Sequence, residues 1–359
     1  MSTQKAVVHV EKGVSELRSD VPLPKVQDNF IIVKTKAVAL NPTDWKSIEY
    51  SPSKGAIVGC DYAGIVEEVG NGVKDLKVGD RVAGFARGGR FHPSNISHQS
   101  LTSSGDPADH TNGAFAEHIK AKAGIHAKIA ENISWEDAST LGVGITTVGQ
   151  GLYQALGLPL PPAKVSEPTP VLIYGASTAT GTLAVQFAKL SGAEVFATAS
   201  PHNFDLVKKL GADHVFDYKD PECGEKIRKA SNDKLKLVFD CIAEHGSEKI
   251  CAAAIGSAGG RYSGLLPGPL KDFPRQDVKH GWTLGYTALG ERFNDQVPAK
   301  PEDYEFGVKF WRAAEDLLNN GKIKAHPTLV RDGLDGVPQG LNDLKDGKVS
   351  GKKLVYRVV

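Results

Sequence analysis

The sequence predicts an α/β protein of two domains, one a doubly wound parallel sheet and the other mainly β. Three observations carry that expectation. From residue 170 onward the chain repeats a short apolar strand, a tight turn and a helix, the grammar of a parallel sheet covered on both faces. The first 130 residues read instead as strands and turns. The length, 359 residues, is roughly twice that of a usual domain. Composition is ordinary for a folded protein, at 40% hydrophobic and 24% charged, and excludes a disordered chain. Forty-three Lys and Arg against 42 Asp and Glu leave a formal charge of +1. A nucleic acid or an anionic membrane is therefore not expected as the main partner.

Taken in order, Ala6–Val10, Phe30–Ala39 and Ala63–Val69 are rich in β-branched residues and read as strands. Gly79-Asp80 turns the chain into a further strand at Arg81–Gly84. Gly88–His110 lacks periodicity and reads as a long loop. Ser134, with Asp137 three residues on, starts a helical run expected to reach Leu158, where Pro159, Pro161 and Pro162 end it. Strands at Val171–Tyr174, Glu194–Thr198, Val215–Asp217 and Leu235–Asp240 then alternate with helices at Gly181–Leu190, Phe204–Leu210 and Ser247–Ile255. Gly259–Tyr262 opens another strand, Phe306–Gly321 is an amphipathic helix, and the chain finishes as a strand over 350–359. The parallel-sheet domain is placed at 140–300, with 1–139 and 301–359 building the other.

The beginning of the chain, Met1–Val10, lacks the charged start and long apolar run of a secretory leader. No stretch approaches the roughly 18 apolar residues of a membrane span, and a cytoplasmic protein is expected. Cys60, Cys223, Cys241 and Cys251 form no CxxC pair, which fits reduced thiols.

The most informative segment is Tyr174-Gly-Ala-Ser-Thr-Ala-Thr-Gly181, between a buried-type strand and a helix. Such a turn aims backbone N–H groups at a pyrophosphate. A G-x-G-x-x-G pattern would fall on Ala176, Thr178 and Gly181, so only the last glycine is kept. The motif alone is weak, and a plain strand-to-helix turn is the competing reading. Its place after the first strand of a repeated β-α pattern favours a dinucleotide, with Gly175 and Gly181 shaping the turn and Ser177, Thr178 and Thr180 offering hydroxyls. The next strand ends in Ala199-Ser-Pro-His-Asn203, without the carboxylate that selects NAD by binding the ribose hydroxyl. Ser200 and Asn203 can hydrogen-bond a 2′-phosphate, His202 can add charge, and Tyr218 follows the third strand. NADPH is the expected cofactor. Ser200-Pro201 also suits a helix cap, and both roles fit together.

Residues 6–359 resemble the medium-chain dehydrogenase/reductase superfamily. The resemblance rests on Asn41-Pro-Thr-Asp44, Gly59-Cys-Asp-Tyr-Ala-Gly64, Val78-Gly-Asp-Arg-Val82 and Gly113-Ala-Phe-Ala-Glu117. Within it the chain is similar to zinc-independent quinone and enoyl reductases, nearest to the trans-acting enoyl reductases that serve fungal polyketide synthases. That finer likeness lies in Ser177–Thr180, Ser200–Asp205, Val215–Tyr218 and Trp282–Gly285. The resemblance implies a Rossmann cofactor domain, a GroES-like catalytic domain, and Thr147, Leu265 and Leu284 as further cofactor neighbours. Ordinary helix packing is the other reading of Thr147.

In the zinc alcohol dehydrogenases of this superfamily, Cys-x-Thr-Asp supplies a thiolate and Gly-His-Glu an imidazole. Here those positions hold Asn41 and Cys60, with Asp61 in place of the Glu, and 141–147 has no Cys. That is short of the three ligands a catalytic zinc needs. His92, His98 and His110, spaced six and twelve apart in a Gly/Ser-rich loop, fit no ligand pattern and read as solvated. No metal is expected. Hydride transfer to an activated double bond then needs the protein for position and charge stabilisation. Lys46 matches a lysine at the active-site mouth of the resembling enzymes and is the candidate for substrate contact or proton supply, or is a surface lysine on a solvated turn. Asn41 is expected to orient substrate or nicotinamide, and Tyr62 is a further catalytic candidate or, with Asp61, holds the cleft wall. A tethered polyketide implies an open-ended cleft near Gly88–His110 and Tyr286–Pro301, with Trp282, Leu284 and Phe293 as apolar contacts or as core. Alternatives left open are a general enone or quinone reductase and a non-catalytic NADPH-binding protein. Pro267, Pro269 and Pro274 suit a pairing edge poorly, and a monomer is expected over a homodimer.

Overall fold

The computed structural model describes residues 2–50, 53–88, 110–267, 270, 272–294 and 296–358. The chain opens with β1 (Thr3–Glu11), β2 (Val14–Pro22) and β3 (Phe30–Ala39), then α1 (Pro42–Tyr50). β4 (Asp61–Val69), β5 (Arg81–Phe85), β6 (His118–Lys122) and β7 (His126–Lys128) follow, with α2 (Trp135–Ser139) and α3 (Gly142–Val148) after them. Next come β8 (Pro170–Tyr174), α4 (Ala179–Leu190), β9 (Glu194–Ala199), α5 (Phe204–Lys209), β10 (His214–Asp217) and α6 (Cys223–Ala230). β11 (Leu237–Asp240), α7 (Ser247–Ala254), β12 (Gly260–Gly264) and β13 (Val278–Trp282) continue the alternation. α8 (Pro301–Asn319), β14 (Thr328–Asp332), α9 (Val337–Lys345) and β15 (Lys353–Arg357) complete the chain.

Two compact units result, one of residues 1–143, 286–319 and 325–359, the other of residues 144–285 and 320–324. The segment expected to close the parallel-sheet domain, 286–300, thus packs with the first unit. Tyr286 stacks on Phe293 and tilts against Phe85 there, and Arg87 pairs with Glu291 at 3.1 Å. Residues 320–324 belong to the second unit, tied by Lys324 N–H to the Gln186 side chain at 2.7 Å.

The first unit is built on a seven-stranded sheet ordered β14-β15-β3-β4-β5-β7, with β6 also on β3. β3 alternates little because it is buried on both faces, and Ile31, Val33 and Val38 join Ile57, Phe115 and Tyr356 in one core. Each such side chain contributes roughly 1.5–3 kcal/mol on burial. The second unit is a six-stranded parallel sheet ordered β10-β9-β8-β11-β12-β13. From β8 the chain winds outward to β10, then returns to β11 and winds the other way. The carboxyl ends of β8 and β11 are therefore the switch point, where ligands bind in sheets of this kind. β13 is an edge strand, and Pro267 and Pro274 lie before it rather than in it.

The expected single helix from Ser134 to Leu158 is broken into α2, α3 and a π-helical stretch at Gly149–Ala155. Ser134 caps α2 as expected, accepting from Asp137 N–H at 3.1 Å. The break has a tertiary cause. The Thr140 carbonyl accepts from Lys353 Nζ at 3.1 Å, Val143 N–H donates to Asp61 at 2.6 Å, and a Cβ on Gly142 would lie 2.3 Å from the Gly84 carbonyl. Lys46 stands on α1, not on a turn, because Asp44 accepts from Asn41 N–H and opens that helix.

Candidate active site

In the second unit the sequence-expected cofactor residues gather at the carboxyl edge of the sheet. Gly175, Ser177, Thr178, Thr180 and Gly181 form the turn from β8 into α4. Gly175 sits at φ +73°, a conformation that disfavours a side chain, and a Cβ there would press on Ile242. A Cβ on Gly181 would lie 2.3 Å from the Gly175 carbonyl. Thr178 is the N-cap, accepting from Gly181 N–H at 3.0 Å and donating to the Gly175 carbonyl at 2.9 Å. Thr198, fully buried on β9, accepts from Gly175 N–H at 2.9 Å, and its carbonyl takes Ala176 N–H. The turn is thus fixed from beneath by its neighbouring strand. Only small residues fit this turn, which opens the N-terminus of α4, the kind of helix start at which a pyrophosphate is bound.

Ser200 and Asn203 follow the carboxyl end of β9, and Asn203 N–H donates to the Ser200 carbonyl at 2.8 Å. Ser200 Oγ donates to the Tyr218 hydroxyl, after β10, at 3.4 Å, and His202 neighbours the Asn203 amide at 3.3 Å. These polar groups form one cluster, with both Ser200 and Asn203 half-buried. Leu265 follows β12 and Leu284 follows β13, both half-buried. Thr147 is buried on α3, its hydroxyl oxygen 3.4 Å from where a Cβ on Gly285 would stand.

At the switch point Asp240 ends β11 almost wholly buried. It accepts from Tyr262 OH and from the N–H groups of Ile242 and Ala243, all at 2.9 Å, and from Ser247 Oγ. Burial raises its pKa, and those same hydrogen bonds hold it back. They shape a loop in which Ala243 and His245 adopt φ of 53° and 58°, positions where side chains are strained. Sequence reasoning missed Asp240 and Thr198. An Asp closing an apolar strand was the one signal for the first.

The first unit gathers Asn41, Asp44, Cys60, Asp61, Tyr62 and Lys353. The Lys353 ammonium, 3% exposed, donates to Asp61 at 2.5 Å and to Asn41 Oδ1 at 2.8 Å. A buried lysine paired with a buried carboxylate and two further acceptors satisfies its three donors. It went unnoticed in the sequence, where it passes for a charged residue at the edge of the last strand. Tyr62 lies in the core, its oxygen 2.7 Å from where a Cβ on Gly84 would stand and without a partner among the described residues. Burial raises its pKa. This is a wall position. Lys46 is half-buried, its ammonium 5.6 Å from the Trp45 ring centre. The expected loop Gly88–His110 falls mostly outside the described residues, His92 and His98 with it.

Residues 27–131 match the alcohol dehydrogenase GroES-like domain, and residues 179–265 match the zinc-binding dehydrogenase family. The trans-enoyl reductase ACTTS2 of Alternaria alternata is 56% identical, with all of both chains covered. The trans-enoyl reductase resD of Aspergillus sclerotiorum is 44% identical over 99% of this chain and all of its own. Among solved structures, the CurK enoyl reductase superposes over all of both chains with a TM-score of 0.76 at 19% identity. The JamJ enoyl reductase does so with 0.75 at 17%. These two share the fold.

The name of the second family implies zinc, and the residues do not fit it. Asn41 and Asp61 both receive hydrogen bonds from the Lys353 ammonium, so a cation already neutralises the position. No group of three or more His, Cys, Asp or Glu among the described residues could hold a metal ion.

Proposed function

The chain belongs to the trans-enoyl reductases of the medium-chain dehydrogenase/reductase superfamily, and from that premise we propose its substrate and cofactor: an α,β-unsaturated acyl thioester carried on the phosphopantetheine arm of a polyketide synthase, and NADPH. It is an oxidoreductase of activated carbon–carbon double bonds that uses a nicotinamide cofactor. The observation that carries the reading is the Gly175–Gly181 turn at the switch point, so tightly packed that a Cβ on Gly175 would meet Ile242 and one on Gly181 the Gly175 carbonyl, at the place where sheets of this kind bind a dinucleotide. Gly175, Ser177, Thr178, Thr180 and Gly181 would hold the phosphates, Ser200, Asn203 and Tyr218 the 2′-phosphate, and Thr147, Leu265 and Leu284 the nicotinamide side.

Bound there, the cofactor supplies a hydride for the β-carbon of the enoyl group. The protein must then stabilise the charge that develops on the thioester oxygen. Lys46, on α1, is assigned that task, and Asn41 is assigned to orient the substrate. The Lys353 ammonium keeps the Asn41 amide oxygen fixed at 2.8 Å, so its orientation is set before substrate arrives.

Fluorescence titration with both cofactors tests the cofactor assignment. NADPH should bind at least tenfold more tightly than NADH, about 1.4 kcal/mol, and Ser200→Asp should penalise NADPH far more than NADH. Equal dissociation constants would sink the assignment. For the substrate, kcat/KM on pantetheine-bearing enoyl thioesters should exceed that on short free enones, the arm adding binding energy in the transition state. Better turnover of small quinones would point to a general quinone reductase, and no turnover at all to a non-catalytic nucleotide-binding protein. Activity should survive exhaustive chelation.

A further inference from the structure

Reduction of the enoyl group ends when the enolate takes a proton at the α-carbon, and the residues assigned so far leave its source open. The first unit holds a connected series of proton-bearing groups. The Tyr286 hydroxyl is 2.8 Å from Thr43 Oγ1 and 3.3 Å from Cys60 Sγ. Cys60 and Asp44 line the same small cavity, and the thiol acts to lower the Asp44 pKa. Asp44 lies one turn of chain from Asn41, whose N–H donates to its Oδ2 at 2.7 Å. The other oxygen, Oδ1, finds no partner among the described residues, and neither do His9 Nε2 or Ser53 Oγ. Those three residues and Cys60 line one cavity of about 10 Å³, room for about one water. Asp61, Lys353, Cys60 and His9 are the titratable groups around the Asp44 carboxyl.

The ring of Tyr286 is held firmly. It stacks on Phe293 with centres 5.0 Å apart and tilts against Phe85 at 5.4 Å. Its position in the chain is equally telling. The backbone leaves the second unit at Gly285 and enters the first at Tyr286, two residues after Leu284 at the carboxyl edge of the parallel sheet. Two peptide units join Tyr286 to Leu284 along the chain.

Resting on the enoyl reductase reading, we propose that Tyr286 is the proton donor to the α-carbon and that Asp44 resupplies it through Cys60. The tyrosine O–H breaks as the α-carbon C–H forms. The thiol proton moves to the tyrosine oxygen, and the carboxyl proton of Asp44 moves to the sulfur. Asp44 ends as a carboxylate and regains its proton from solvent through the cavity beside Ser53 and His9. Tyrosine and cysteine are neutral before and after. Burial pushes the Asp44 carboxyl up to about 7, with the Asp61 carboxylate adding to the effect against the Asn41 N–H, the Cys60 thiol and Lys353. The group can therefore both hold and yield a proton near neutrality. Thr43 and Cys60 act on the reaction through Tyr286 and are positioning residues.

The test compares wild type with Tyr286→Phe, Cys60→Ala and Cys60→Ser on an α-methyl enoyl thioester in D2O. Wild type should place deuterium on one face of the α-carbon. Tyr286→Phe should turn over at least tenfold more slowly and lose that facial preference, while cofactor affinity and thermal midpoint hold. Cys60→Ser, which keeps a proton-bearing group, should retain the preference, and Cys60→Ala should erode it. A readout independent of turnover is the infrared S–H stretch of Cys60 in the cofactor-free protein, assigned by its loss in Cys60→Ala. It should shift in Tyr286→Phe. Unchanged rate and face in Tyr286→Phe would overturn the donor assignment alone. Failure of wild type to reduce any enoyl thioester would overturn the enoyl reductase reading with it.

Discussion

A carboxyl group that folding strips of water keeps its proton to higher pH, and Asp44 is fully enclosed. In the unfolded chain it titrates near 3.9, and in the native state burial takes it up to about 7. The folded protein therefore binds this proton more tightly. The resulting stabilisation is complete below about pH 4 and is lost as pH rises through about 7. Asp44→Asn removes that dependence. Relative to wild type, the variant should gain on the order of 1–3 kcal/mol between about pH 5 and pH 8, read from urea unfolding at several pH values. A constant offset across that range would mean that Asp44 does not titrate there.

At the scale of elements, the Gly175–Gly181 turn is held by a residue outside it. Thr198 on β9 accepts from Gly175 N–H beneath the turn. Thr198→Val keeps the shape and leaves that buried N–H without its acceptor, at a cost of about 1–3 kcal/mol. NADPH affinity should fall roughly tenfold, measured by fluorescence titration, and unchanged affinity would show the turn is rigid without the clamp. Such partners explain what could be read in the sequence. The turn, Ser200 and Asn203 announce themselves because local geometry demands small or polar residues at strand ends. Strands β3, β8 and β11 were legible from β-branched runs. β2 and β14, polar and half-exposed, lack that signature. The helix through 134–158 was misjudged because its break depends on Asp61 and Lys353, which no local pattern reveals. Tyr286 and Lys353 escaped for the same reason: each acquires meaning only from residues more than 200 positions away.

At the scale of the whole molecule, Lys353 joins the last strand to Asp61 near the start of the chain. β15 lies between β14 and β3, and its lysine reaches Asp61 on β4. Removing one member of a buried pair strands the other charge, at about 3–5 kcal/mol. Lys353→Ala should lower stability by that amount in denaturant unfolding, and Asp61→Asn combined with Lys353→Met should recover much of it. If the single and double variants lose the same amount, the pair is not coupled.

That arrangement also sets an order on biosynthesis. The second unit is nearly continuous, residues 144–285, and its sheet can be assembled while the remainder is still on the ribosome. The first unit waits. Its strands β3 and β4 emerge early, yet the Asp61 carboxylate has no counter-charge until residue 353 leaves the exit tunnel. A nascent chain arrested shortly before that point should carry a protease-resistant second unit and an unfinished first one, which matures only once residue 353 has emerged.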